Sequence, residues 1–500
     1  MAPSILTQWL LKDEDNAPYL LNGSQDSEKL AASKDEDSRR WLVEELYEQF
    51  WIAGPVIPAQ LFQVLIGVVT LMFIGHMGPL ALSGSQIGAT AAGAIGVHFV
   101  TGLAQGLETL SGQAYGAGEY RLSGVFLQRA IFVLTVFSIP ISFVFWNLAP
   151  ILKAMGQDPT ISDVAQEYCR LQIPSLFAHA VYQPLTKFLQ TQSIVQPMAV
   201  AAGISLGIHV ALCNLTINHL GWGFQGVALM SGVSMWINVL LLALYVKFSP
   251  TCNKTWTGFS TEAFEDIYLF VRTALPAAFM LCLQFWCLNG LTLISGLLPN
   301  PEMETSAFAI GQQVLLVMFM IPLGLSAAVS TRVSNKLGAG LPYEARASVK
   351  VTVSVGLIDG CVNALLLLSL RNVLPGLFTS DPDVINYVSG MAPLLAIVLL
   401  LDCIGGILGG VARGCGWQRL GAYTNLVGFY GVGFPVALLL TFYFNLRAYG
   451  LWIAIICADL VQAFVLSFIT LTLSWRKLAD DAAELVHEAK VHLHDEDTLP

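Results

Sequence analysis

Three aspartates stand inside long apolar runs: Asp359 in Leu357-Ile358-Asp359-Gly360, Asp402 in Leu400-Leu401-Asp402-Cys403-Ile404-Gly405, and Asp459 in Cys457-Ala458-Asp459-Leu460. An aspartate at the centre of a membrane helix costs roughly 2.5–3.5 kcal/mol on insertion scales, so each needs a reason to be there. Burial disfavours the charged form of a carboxyl group and brings its titration toward neutral pH, where a proton can be loaded and released. Asp402 is the first candidate for such a proton carrier, and Asp359 the second. For Asp359 the competing reading is an acid hydrogen-bonded to a neighbouring helix, and Asp459 is read as structural. All three lie in the second half of the chain, whereas Glu108, Asp163 and Glu167 of the first half fall near the ends of apolar runs.

Other side chains could line a cavity for an organic molecule. Gln284, Trp286 and Asn289 share the stretch Cys282-Leu-Gln-Phe-Trp-Cys-Leu-Asn-Gly290, and Gln63 and Tyr430 lie in separate apolar runs. Trp286, Phe285 and Tyr430 could stack on an aromatic or cationic compound, although such rings more often face lipid. His98, His179 and His209 are isolated and read as packing residues. His487, His492 and His494 have no ligand frame. The nine cysteines form no CxxC pair, so neither a disulfide framework nor a zinc site is expected. No metal or cofactor is implied. Without paired histidines, clustered acids or a nucleophile beside its base, the chain is not read as an enzyme.

The elements that must hold these groups are membrane helices. The 500 residues are 55% hydrophobic and only 12% charged, with mean hydropathy +0.65, against roughly a quarter charged in soluble domains. Trp51–Ile74 and Ile131–Leu152 carry no charge at all, and each exceeds the ~20 residues that cross a bilayer. The reading is an all-α polytopic membrane protein of about twelve transmembrane helices. Spans are expected near 50–74, 83–107, 123–147, 163–187, 196–217, 224–247, 267–297, 303–330, 345–370, 384–411, 420–444 and 449–474. Prolines at 55, 58, 140, 174, 276, 322, 393 and 435 fall within them and predict kinks. Net charge is −10, and most of it belongs to the polar tails, so no nucleic-acid partner follows. No basic-then-apolar leader precedes the first span.

Lys and Arg set the orientation. Arg121, Arg129, Lys187, Lys247, Lys254, Arg332, Lys336, Arg346, Lys350, Arg413 and Arg419 fall on one side, and only Lys153, Arg371 and Arg447 on the other. The first side, with both termini, is expected in the cytosol. The sequons at Asn22, Asn214 and Asn253 are then not expected to be glycosylated.

The chain also repeats itself. Pro55 and Gln63 recur as Pro276 and Gln284 at an offset of 221; Gly116-Ala117-Gly118 recurs as Gly338-Ala339-Gly340, and Gln196 as Gln418, at 222. Asp158-Pro159 recurs as Asp381-Pro382 at 223, and Gly226 as Gly450 at 224. Ordered matches with so little drift mark an internal duplication, hence two pseudo-symmetric six-helix lobes related by an axis along the membrane normal. The expected division is a polar tail (1–46), an N-lobe (47–250), a linker (251–266), a C-lobe (267–475) and a second tail (476–500).

Three motifs carry a family resemblance. Gly112-Gln113-Ala114-Tyr115-Gly116-Ala117, Thr331-Arg332-Val333-Ser334-Asn335 with Leu337-Gly338-Ala339-Gly340, and Val411-Ala412-Arg413-Gly414-Cys415-Gly416-Trp417-Gln418 resemble signatures of plant-type multidrug and toxic compound extrusion (MATE) transporters, over about residues 45–476. The resemblance implies a secondary antiporter, a monomer in the bilayer. It would expel small organic compounds by rocker-switch alternating access while protons, or sodium in some relatives, move the other way. It also implies the vacuolar or plasma membrane, and a tenth-span acid at Asp402. Members usually carry a seventh-span acid as well, whereas Gln284 and Asn289 are neutral here. Coupling then rests on Asp402 and Asp359, or is weakened, or the protein has drifted to another cargo. The alternative reading is a lipid-linked saccharide flippase, which would favour a cationic lumen. Buried cations are few, chiefly Arg170 and Arg272.

Overall fold

A computed structural model describes residues 24–494, with side chains over 39–491. Asp15, Leu20, Leu21, the Asn22 sequon and the side chains of His492 and His494 lie outside the described residues. In chain order the long helices are α1 (Ser24–Gly75), α2 (Pro79–Gly116), α3 (Tyr120–Trp146), α4 (Pro159–Thr191), α5 (Gln196–Asn218), α6 (Gly223–Phe248) and α7 (Ile267–Ser295). Then come α8 (Pro301–Met318 with Met320–Gly338), α9 (Pro342–Ser369), α10 (Pro382–Cys415), α11 (Gln418–Tyr443), α12 (Ala448–Thr472) and α13 (Trp475–His494).

Among the described residues, ten of these are long and apolar enough to cross a membrane, and α8 makes eleven if its two arms form one span. The chain is therefore an all-α, multi-pass membrane protein. The remaining candidate, α4, has 33 residues, well above the ~20 needed. Asp163, Glu167 and Arg170 in its first turns, and His179, Gln183, Lys187 and Gln190 further on, make it too polar to pass the same test.

Local chemistry explains the ends and bends. Asp158 caps α4, its carboxylate accepting from the amides of Thr160 and Ile161, and Asp381 caps α10 through the amide of Asp383. The Thr160 hydroxyl and these amides hold the exposed Asp158 carboxyl below its usual range. The two arms of α8 meet at 46°. Pro322, in the first turn of the second arm, has no N–H to offer the Met318 carbonyl, so the ladder cannot run through. In α11 a wide π-type turn occupies Leu426–Gly433 just before Pro435, and in α2 another occupies Gly93–Val97.

Two segments expected as tails are built into the bundle. Glu45 and Gln49, on the stretch of α1 that precedes the apolar run, are buried. The Arg332 guanidinium of α8 reaches Glu45 at 2.6 Å, and the Gln49 amide donates to the Ser348 carbonyl of α9 at 3.0 Å. At the other end, Trp475, Leu478, Ala479, Ala482, Val486 and Ala489 recur at helical spacing and are buried. Through them α13 packs on α2, α8 and α9, and Lys490 pairs with Glu119 at 2.6 Å.

Candidate functional site

Asp402, partly exposed on α10, accepts a hydrogen bond from the Gln284 amide of α7 at 3.4 Å. Asp359, on α9, accepts from Asn363 at 2.9 Å, and its other oxygen is buried without a partner. Cys403 donates to the Gly356 carbonyl at 3.0 Å, which pins α9 to α10, the two helices that carry these acids. Beside Gln284 lies a cavity of about 50 Å³, lined by Gly405, Gly409, Arg413, Asn425 and Gln462 among others. Such a group of carboxyl and amide side chains can bind a proton or a small cation.

The other candidates are placed apart. Asn289 is half-buried further along α7. The Trp286 indole donates to the Ala94 carbonyl of α2 at 2.8 Å, and neighbouring Phe285 stacks on His98 at 4.2 Å. Tyr430 stacks on Phe434 at 6.3 Å. Gln63 sits in the first half beside Tyr182, its amide nitrogen buried without a partner. Its repeat partner Gln284 is bonded to Asp402 instead.

A second polar site went unread in the sequence. Glu108, placed near a span end by its position in the run, is 0% exposed. One oxygen pairs with Lys187 of α4; the other accepts from Arg413 Nε of α10 at 2.8 Å and from the Ser330 hydroxyl of α8 at 2.6 Å. Around it Gln190 donates to the Ala327 carbonyl at 3.1 Å and Asn335 to the Thr191 carbonyl at 3.0 Å. The Thr109 hydroxyl donates to the Arg413 carbonyl. One signal was available: Ser330 stands 222 residues after Glu108, the offset of the glycine repeat. Among the described residues Arg129 is buried, Lys187 and Arg413 are 12% and 11% exposed, and Arg170 and Arg272 are exposed. Glu108 offsets one of the two positive charges that Lys187 and Arg413 bring to this site.

The Glu108 cluster lies where the two halves of the chain meet, and the meeting is reciprocal. A Cβ added at Gly116 would collide with the Asn335 carbonyl, and one added at Gly338 with the Gln113 carbonyl. Gln113 and Asn335 are themselves 222 apart, so each half offers the other the same surface. Backbones this close tolerate no side chain. Gly338→Ala is therefore expected to push α2 and α8 apart and cut transport at least tenfold with the protein still in the membrane. Flux in reconstituted vesicles at matched protein levels is the check; an unchanged rate would show that this contact can loosen freely.

Comparison with known proteins places this architecture. The MatE family model matches residues 55–215 and 276–439, together more than half of the chain. The chain is 44% identical to Protein DETOXIFICATION 16 of Arabidopsis thaliana over 446 residues, 89% of this chain and 92% of that one. It is 44% identical to Protein DETOXIFICATION 17 of the same plant over 443 residues, 89% and 93% of the two chains. The crystal structure of the eukaryotic MATE transporter AtDTX14 superposes with a TM-score of 0.86 at 38% identity, covering 89% of this chain and 100% of that one. An outward-facing structure of a multidrug resistance MATE family transporter shares the fold at a TM-score of 0.76 and 16% identity, over 87% and 96% of the chains. A multi-pass helical protein with these motifs, this duplication and these relatives is a transporter rather than an enzyme, and it belongs to the plant MATE (DETOXIFICATION) family.

Proposed function

We propose that the chain is a proton-coupled antiporter that moves small organic compounds out of the cytosol by alternating access, with Asp402 as proton carrier and Asp359 assisting. The observation that carries the reading is where the halves touch. Among the described residues, hydrogen bonds between the halves run from the level of Trp286 and Ala94 to the end holding Gly116 and Gly338. Halves bonded together toward one end are one state that a two-state carrier can take. Residues 47–250 and 267–475 act as the rocking lobes, joined by the linker 251–266, and α4 is counted as a span to give twelve. The excess of Lys and Arg at the sealed end assigns it, with both termini, to the cytosol. Closed on the cytosolic side, the carrier would release its cargo to the vacuole or the outside.

The test is uptake of tetraethylammonium and of a flavonoid into proteoliposomes with an acidic interior. Uptake of at least one compound that collapses on addition of a protonophore supports the reading. Uptake driven only by a sodium gradient, or none by either, overturns it. Because Asn289 lies beyond Gln284 on α7, Asn289→Glu is expected to move the pH dependence of that uptake. An unmoved profile would remove position 289 from the coupling site.

A further inference from the structure

Among the described residues of the second half, Asp459 is a carboxylate with both oxygens buried and unbonded, and it is 1% exposed. An acid kept only for packing would be expected to accept bonds from neighbouring donors, because leaving them unmade costs the desolvation in full. Donors are at hand and look elsewhere. The Gln462 amide donates to Asn425 at 2.7 Å, and the Asn425 amide to the Met280 carbonyl at 2.6 Å.

The register of α10 and α12 shows what Asp459 faces. A Cβ at Gly390 would stand 2.6 Å from the Tyr449 hydroxyl, and one at Gly405 would stand 2.6 Å from Gln462 Oε1. Contacts that advance together along both helices make the pair parallel. Asp402 precedes Gly405 by three residues and Asp459 precedes Gln462 by three, so both acids lie one turn before the same contact, on the faces that meet there. Asp402 is also the charged group whose field reaches Asp459. From α7, Gln284 bonds Asp402, and Cys287, one turn on, lies within the field of Asp459. Among the described residues, other ionisable groups on the helices packed around the pair are Cys282 on α7, Tyr430 on α11, Asp359 on α9 and Cys403 on α10. The nearby cation, Arg413, is held by Glu108 and Ser326.

We infer that Asp402 and Asp459 form a carboxyl pair that holds the coupling proton between them, α12 supplying the second acid that α7 lacks. Loading puts one proton on the pair, leaving one acid and one carboxylate. Release returns the proton through the partly exposed Asp402, and no other bond changes. Two neighbouring carboxylates disfavour joint ionisation, so the proton belongs to the pair. This rests on the proposed role of Asp402 and adds a positioning and proton-sharing role for Asp459.

Asp459→Asn and Asp459→Glu in proteoliposomes test it, beside Asp402→Asn. With its like-charged neighbour neutralised, Asp402 should release its proton more readily. The pH midpoint of transport in Asp459→Asn is expected to move about one unit toward acid. Proton release on binding tetraethylammonium, read with a pH dye in weak buffer, should fall at least twofold. Asp459→Glu keeps the carboxyl and should keep the profile within about 0.3 units. If Asp459→Asn keeps the wild-type midpoint and proton release while Asp402→Asn loses them, the pair is overturned and the Asp402 reading stands. If Asp402→Asn keeps them too, that underlying reading fails. Should Asp459→Asn not fold, Asp459→Ser takes its place: a midpoint moved toward acid supports the pair and an unshifted one overturns it.

Discussion

Asp402→Asn is expected to abolish uptake driven by a pH gradient, by a hundredfold or more, while binding of an organic substrate changes by less than threefold. The substitution preserves volume and keeps an acceptor oxygen for the Gln284 amide, which donates to Asp402 Oδ1 at 3.4 Å. What it removes is the group that can exist with and without a proton. A carrier locked in the neutral form still presents its cavity but has nothing to exchange for the cargo. Counterflow of labelled substrate without a gradient should survive, which separates lost coupling from lost folding. Gradient-driven uptake at the wild-type rate would remove Asp402 from the coupling path.

Glu108→Ala is expected to open the sealed end. Removing one partner of a buried ion pair typically costs about 3–5 kcal/mol, because the opposite charge stays behind uncompensated. Here two cations, Lys187 and Arg413, lose their shared carboxylate at once. Arg413 and Ser330 belong to the second half and Glu108 to the first, so much of that loss falls on the closed arrangement. Cys415, buried two residues beyond Arg413, reports it. Its alkylation rate, resolved by mass spectrometry, should rise at least tenfold in the variant. The same rate in both proteins would mean that the cluster stabilises the fold but not the closure.

How far the sequence could be read follows from the range of each signal. Asp402 was legible because a charge inside an apolar run is conspicuous by itself, and its neighbours on the same helix suffice to show it. The Glu108 cluster was not, since its partners stand 79 residues away at Lys187, 222 at Ser330 and 305 at Arg413. Each of them, taken singly, looked like the polar end of a span. The glycine repeat was visible as an offset, yet that Gly116 meets Asn335 and Gly338 meets Gln113 needed three dimensions. The amphipathic spacing from Trp475 to Ala489 was present in the letters, but its charge content favoured the reading of a tail. Asp459 was assigned a structural part because nothing local shows that its oxygens go unbonded.

The 46° joint in α8 has a mechanical consequence. Below it, the 19 residues of Met320–Gly338 form a rigid arm about 28 Å long, so turning that arm by about 10° carries its tip roughly 5 Å. The glycine contact with Gln113 lies at that tip, and Pro322 at the pivot. In α2 a break at Gln105 likewise sets off the shorter arm Gly106–Gly116. Leverage of this kind turns a small rearrangement near mid-membrane into a passage wide enough for a water-sized or larger body.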